Sequence, residues 1–138
     1  MVFQSSLRRG YSLMELMMYV AIVGILLAGA VTGITSALKK GRKSATITSL
    51  RTISQEIDSY YADTSRYPES LEDLIKQPEG IKNWEGPYLK VKGEEVPKDG
   101  WGFDFHYERT PGQAHPYELY SFGANGEDAP QEEWLSAW

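Results

Sequence analysis

Three residues stand where chemistry meets a long apolar run. Gly10-Tyr11-Ser12-Leu13-Met14-Glu15 sets a small residue, a hydroxyl and a lone carboxylate ahead of Leu16 to Leu38, about 23 positions without a charge. A glycine is the residue type that a tight scissile pocket admits. A carboxylate near the edge of a spanning helix costs up to about 2.5–3.5 kcal/mol at mid-bilayer, and less at the interface. Glu15 is therefore not there to stabilise a lone monomer. On spacing alone two readings stand for each feature. The chain is cut after Gly10, or it is an uncleaved anchor whose glycine is incidental. Glu15 serves an assembly, or it snorkels into headgroups. His106 and His115 are the only histidines, and neither has a Ser, Cys or Asp partner at a spacing that signals a zinc site or a triad. The remaining acids are scattered, and nothing supports an enzyme.

The run from Leu16 to Leu38 must position Glu15. It is rich in Val, Ile, Leu, Met and Ala, with Gly24, Gly29 and Gly33 interspersed. About 20 apolar residues suffice for a helix to cross the hydrocarbon core. Residues 1–10 are too short and polar for an ordinary secretory signal, whose apolar region precedes the cleavage site. Here the apolar region follows the glycine, so cleavage would leave the helix on the mature chain. Arg8 and Arg9 lie on one side of it, and Lys39, Lys40, Arg42 and Lys43 on the other, so charge counting does not settle orientation.

Of the 138 residues, those from Lys39 onward make one small domain. Arg8 and Arg9 are the only two of the 14 Lys and Arg ahead of the run, and Glu15 is the only one of the 19 acids there. The domain is thus acidic, which argues against a nucleic-acid partner. There is no cysteine, which excludes disulfides and thiolate metal sites.

Ala45, Ile47, Leu50, Ile53, Ile57, Tyr60 and Tyr61 recur at helical steps and continue the helix to about Ala62. From Tyr11 that is roughly 75 Å of helix. Tyr67-Pro68 breaks it. Ser70 caps a short helix with Asp73 at its third position, Leu71, Leu74 and Ile75 face the first helix, and Pro78-Glu79-Gly80 ends it. Trp84, Tyr88 and Trp101 sit among glycines and prolines and pin that loop or form an interface. Phe103 to Arg109 and Pro116 to Phe122 alternate apolar with polar and form a hairpin, and Trp134, Leu135 and Trp138 fold back on it. The fold class is α+β, a sheet packed on the C-terminal half of the long helix.

Several blocks resemble a known family. Gly10-Tyr11-Ser12-Leu13-Met14-Glu15-Leu16-Met17 resembles the prepilin peptidase recognition segment of type IV pilins and pseudopilins, Gly-Phe-Thr-Leu-Ile-Glu-Leu. Tyr61 to Pro68 resembles the Tyr-x-x-Asp-x-x-x-Tyr-Pro region closing the pseudopilin long helix. Trp84 to Lys90 and Val96 to Gly102 resemble its Gly-Pro-Tyr and Pro-x-Asp-Pro-Trp-Gly blocks. Tyr117 to Gly126 resembles its closing Ser-x-Gly-Ala-Asp-Gly block. Together they identify the chain as a member of the major (G-type) pseudopilins of type II secretion, in the type IV pilin-like superfamily. Three departures stand out: Thr32 where the family commonly has proline, Tyr11 for Phe, and Asn125 for Asp in a shortened closing loop.

The resemblance implies a type IV pilin-like fold divided into a leader peptide (1–10), a transmembrane and assembly helix (11–38) and a soluble pseudopilin domain (39–138). It implies cleavage by prepilin peptidase between Gly10 and Tyr11, N-methylation of Tyr11, and a role for Glu15 in filament assembly. The expected product is a helical homo-oligomer, the pseudopilus, working with minor pseudopilins and other secretion components to drive protein export across the outer membrane. The expected location is the inner membrane, single-pass, with the soluble domain in the periplasm. The resemblance also implies a calcium ion in the closing loop, for which Asn125, Glu127 and Asp128 are the side-chain candidates, with Glu132 and Glu133 nearby. The alternatives are a minor pseudopilin, a type IV pilus subunit, or a monomeric membrane-tethered binding domain. A pilus subunit would more often carry a C-terminal disulfide, and a monomeric anchor needs neither cleavage nor Glu15.

Overall fold

The computed structural model describes residues 10–138, without the side chains of residues 30–32. The leader residues ahead of Gly10, Arg8 and Arg9 included, and the side chain of Thr32 lie outside the described residues. The chain divides into two units, one ending at Lys39 and the other comprising Lys40–Trp138.

Helix α1 spans Leu13–Thr64. Its sequence contains no proline, and the Leu16 N–H donates to the Ser12 carbonyl at 3.0 Å to begin the ladder. At the other end Ser65 turns left-handed (φ 57°) and its N–H closes on the Tyr61 carbonyl at 2.8 Å. The Thr64 hydroxyl donates to the Tyr60 carbonyl at 2.7 Å, and Pro68 follows. A left-handed residue just past the last turn is an ordinary helix stop.

In the second unit the buried stripe of α1 is Thr46, Leu50, Ile53, Ile57 and Tyr60, at steps of four, three, four and three. Ala45 and Tyr61, expected on this stripe, are exposed, and Ile47 is half-buried. Thr46 takes the position that Ala45 was expected to hold. Its hydroxyl donates to the Arg42 carbonyl at 2.9 Å and accepts the Gly100 N–H at 2.9 Å. A hydroxyl is tolerated in this core because both its roles are filled.

The stripe meets Leu71, Leu74, Leu89, Phe105, Tyr117 and Leu119 in one apolar cluster. The short helix is a single 3-10 turn, Leu71–Leu74, and ends before Pro78 is reached. Asp73 holds its entrance, accepting from the Glu69 N–H at 2.7 Å and the Ser70 N–H at 3.3 Å. Trp84 and Tyr88 pin the following loop: the Trp84 indole donates to the Asp73 carbonyl at 3.0 Å, and the Tyr88 hydroxyl to the Asp63 carboxylate at 2.8 Å.

Three antiparallel strands follow, β1 (His106–Arg109), β2 (Tyr117–Ser121) and β3 (Leu135–Ser136), in that order. His106 pairs with Tyr120, Arg109 with Tyr117, and Ser121 with Leu135. Tyr117, Leu119 and Ser121 are buried, while Glu118 is exposed and Tyr120 half-buried, as alternation requires. The Tyr117 hydroxyl and the Ser54 hydroxyl on α1 share a hydrogen bond at 2.9 Å. Strand β1 begins three residues later than the pattern predicts. The Phe103 carbonyl accepts from Asp99 N–H and the Phe103 N–H donates to the Asp99 side chain, so this residue belongs to a turn and has nothing to offer a ladder.

Gly100 lies against the helix backbone. A Cβ there would stand 2.5 Å from the Arg42 carbonyl oxygen. Backbone cannot rotate aside as a side chain does, so Gly100→Ala must separate the 99–103 turn from α1. The expected cost is about 1–3 kcal/mol, the usual range for overpacking. Urea denaturation of the full chain in detergent, followed by tryptophan fluorescence, measures it. An unchanged midpoint would show that the contact yields freely.

Candidate functional site

Gly10 and Tyr11 precede α1 and are exposed. Glu15 lies in the first helical turn, where the positive end of the helix dipole favours a carboxylate. Its neighbour within the chain is Tyr19, one turn on, whose hydroxyl donates to it at 3.4 Å, and the Tyr19 ring stands edge-on to Tyr11 at 6.4 Å. Among the described residues no Lys, Arg or His pairs with Glu15. Behind it Leu16, Met17, Val20, Val23 and Leu27 are each more than half exposed. The stretch is long and apolar enough to cross a membrane. Among the described residues nothing covers this apolar surface or the Glu15 carboxylate, and a lipid phase or other helices could.

In the second unit the polar side chains gather around Asp99, which is 7% exposed. One of its oxygens accepts the N–H groups of Trp101 and Phe103, both at 2.9 Å. The other accepts the Ser121 hydroxyl at 2.6 Å, and Ser121 in turn accepts the Gly123 N–H at 3.0 Å. With the Gly100 bond to Thr46, this ties α1, the 99–103 turn, β2 and the closing loop together. Tyr60 and Tyr117, buried, and Tyr107, half-buried, line the apolar core. Burial is the first cause that pushes the Tyr60, Tyr107 and Tyr117 hydroxyls above the ordinary phenol range. At Tyr107 the nearby Arg109 opposes it. The neutral Tyr107 hydroxyl donates to the Pro68 carbonyl at 2.8 Å.

The histidines do structural work. His106 stacks on Tyr120 at 4.5 Å, and His115 on Trp138 at 4.7 Å. Trp134 stacks on the Tyr120 ring at 4.7 Å and donates its indole N–H to the Ala129 carbonyl at 3.0 Å.

Comparison with known proteins identifies the arrangement. Residues 33–135 match the family described as type II secretion system (T2SS), protein G, and residues 5–31 match the prokaryotic N-terminal methylation motif. The chain belongs to the type II secretion system protein G family. It is 35% identical over 126 residues to the type II secretion system core protein G of Pseudomonas aeruginosa, covering 86% of this chain and 85% of that one. To the core protein G of Xanthomonas campestris pv. campestris it is 30% identical over 117 residues, 85% and 79% of the two chains. In fold it is similar to the crystal structure of the major pseudopilin from the type 2 secretion system of enterohaemorrhagic Escherichia coli. The TM-score is 0.59 at 22% identity, over 75% of this chain and 92% of that one. The long helix with a small antiparallel sheet is therefore the α+β, pilin-like fold of this family.

Gly10, Tyr11 and Glu15 fall inside the matched methylation motif. The residues expected to hold calcium are a different matter. Calcium takes six to eight oxygens at about 2.3–2.6 Å. Asn125 presents its amide nitrogen to the Glu133 carboxylate at 2.8 Å, and so directs a donor, not an acceptor, into that contact. Glu127 and Asp128 are exposed. Among the described residues no three His, Asp or Glu side chains converge as metal ligands. As arranged, Asn125, Glu127 and Asp128 do not fit the ion.

Thr46, Asp99 and Ser121 escape a reading by hydrophobic pattern, since each is a polar residue in a core position. A local signal existed for one of them. Asp followed by Gly-Trp-Gly has the composition of a turn in which the carboxylate takes up backbone N–H groups two and four residues on.

Proposed function

We propose that this chain is a structural subunit of a type II secretion pseudopilus. In this reading it is held in the inner membrane by the first half of α1 with its acidic unit in the periplasm, and it polymerises with copies of itself and with minor pseudopilins. The carrying observation is one of juxtaposition. An exposed apolar helix, headed by Gly10, Tyr11 and a Glu15 that has no cationic partner among the described residues, lies on the same chain as a protein G domain. The work is mechanical: subunits assemble at the inner membrane, and the growing filament moves or gates exported protein at the outer membrane. The relatives named as core protein G and as major pseudopilin support this reading.

The reading requires a prepilin peptidase to cut between Gly10 and Tyr11, with the new Tyr11 amine then methylated. Mass spectrometry of membrane-extracted protein should find a chain that begins at methylated Tyr11. Gly10→Val should block the cut, because a branched side chain does not enter a pocket built for glycine, and the precursor should accumulate nearly completely. A wild-type chain that begins at Met1 in cells holding the peptidase would contradict the processing step and the filament role with it.

A further inference from the structure

We propose that the closing loop of this chain, residues 123–134, is held shut by its own hydrogen bonds and takes no calcium ion, in contrast to what its resemblance to pseudopilins implies. The inference concerns the folded unit alone and stands apart from the pseudopilus reading.

An ionised carboxylate accepts hydrogen bonds and donates none, whereas a carboxamide does both. Glu133 therefore fixes which side of the Asn125 amide faces it, and the nitrogen donates at 2.8 Å. An aspartate at this position would bring two acceptors to the same separation, and a cation between them would be the natural remedy. Asparagine removes both the repulsion and the need for the cation. The exchange replaces an oxygen ligand with an internal donor at almost the same shape.

The loop backbone is closed in the same way. The Gly126 carbonyl accepts the Ala129 N–H at 2.9 Å, the Pro130 carbonyl accepts the Glu133 N–H at 2.9 Å, and the Ala129 carbonyl takes the Trp134 indole. Each of these carbonyls already accepts a hydrogen bond from within the loop. At the loop's base a Cβ on Gly123 would stand 3.0 Å from the Glu133 carbonyl oxygen, so the two ends of the loop touch directly. Gly126 is left-handed and lies on the Phe103 ring, where a Cβ would meet carbon at 3.2 Å. The wall there is aromatic and supplies no ligand. Glu127, Asp128 and Glu132 are exposed, so water solvates their charges without an ion.

The test uses the full chain in detergent micelles. Thermal melts in EGTA and in millimolar calcium should coincide, and terbium added as a calcium surrogate should show no saturable emission sensitised by Trp134. A melting temperature raised by calcium, or saturable submillimolar terbium emission, overturns the proposal. In EGTA, Asn125→Asp should lower the melting temperature by on the order of 4 °C, since one hydrogen bond becomes a repulsion. The double variant Asn125→Asp with Glu133→Gln makes carboxylate and amide trade places and should recover most of that loss. An unshifted single variant, or a double variant no better than the single, also overturns it, because either result would mean that the Asn125–Glu133 contact does not hold the loop.

Discussion

Replacing Asp99 with alanine will destabilise this protein by about 3–5 kcal/mol, well beyond the usual effect of a surface substitution. The carboxylate is buried and satisfies three donors, the N–H groups of Trp101 and Phe103 and the Ser121 hydroxyl. Alanine would leave them in a space that the chain has closed. Each buried donor left unpaired costs about 1–3 kcal/mol, with partial relief where water enters. The loss would spread beyond the turn. Gly100 would lose its constraint toward Thr46, and Ser121 its support beneath Gly123. Asp99→Asn keeps the shape and one accepting oxygen. The Ser121 hydroxyl can reverse its own bond to accept from the new amide, so the asparagine variant should lie between wild type and alanine. Urea denaturation of the full chain in detergent, read by tryptophan fluorescence, ranks the three. If Asp99→Ala unfolds within about 1 kcal/mol of wild type, the carboxylate is not what joins α1 to the sheet.

The same residue marks the boundary of what the chain's pattern discloses. The apolar run from Leu16 to Leu38 is legible because composition alone decides it, and the hairpin is legible because β2 alternates cleanly from Tyr117 to Ser121. The helical stripe is legible only to within a residue. Ala45 and Thr46 compete for one core position, and hydrophobicity favours the alanine. The threonine holds it because its hydroxyl finds both an acceptor at Arg42 and a donor at Gly100, 54 positions away. The start of β1 fails for a related reason. Phe103 has the right type for a strand, but its backbone is bonded to Asp99 on both sides. Long-range polar partners thus decide the positions where type and period do not. The closing loop shows the converse case. The resemblance suggested oxygen ligands at Asn125, Glu127 and Asp128, while in the structure the Asn125 amide nitrogen is turned to Glu133.

The Glu15→Ala variant should be processed normally, should keep its folded second unit, and should yield at least about tenfold fewer filaments. Among the described residues Glu15 has one weak partner, the Tyr19 hydroxyl at 3.4 Å, and no cation. Cleavage before Tyr11 would create a cation one helical turn away, the new amine, which methylation leaves charged. Both charges would then enter a water-poor core of packed apolar helices, where each alone carries a desolvation penalty of several kcal/mol. Pairing the carboxylate of one subunit with the amine of a neighbour offsets the two penalties together, and it can form only on assembly. Removing Glu15 leaves the neighbour's amine buried and uncompensated. Every 1.4 kcal/mol of that imbalance weakens subunit association tenfold, and the loss recurs at each subunit added. Glu15→Gln separates charge from shape. It keeps the side-chain volume and a hydrogen-bonding oxygen but not the charge, so its filament yield should lie close to that of alanine. The measurement is the filament fraction sheared from cells, with mass spectrometry of the N-terminus as the control for processing. Wild-type filament levels in Glu15→Ala, with Tyr11 exposed and methylated as usual, would remove the charge pair from the assembly and leave the apolar helices to hold the filament by packing alone.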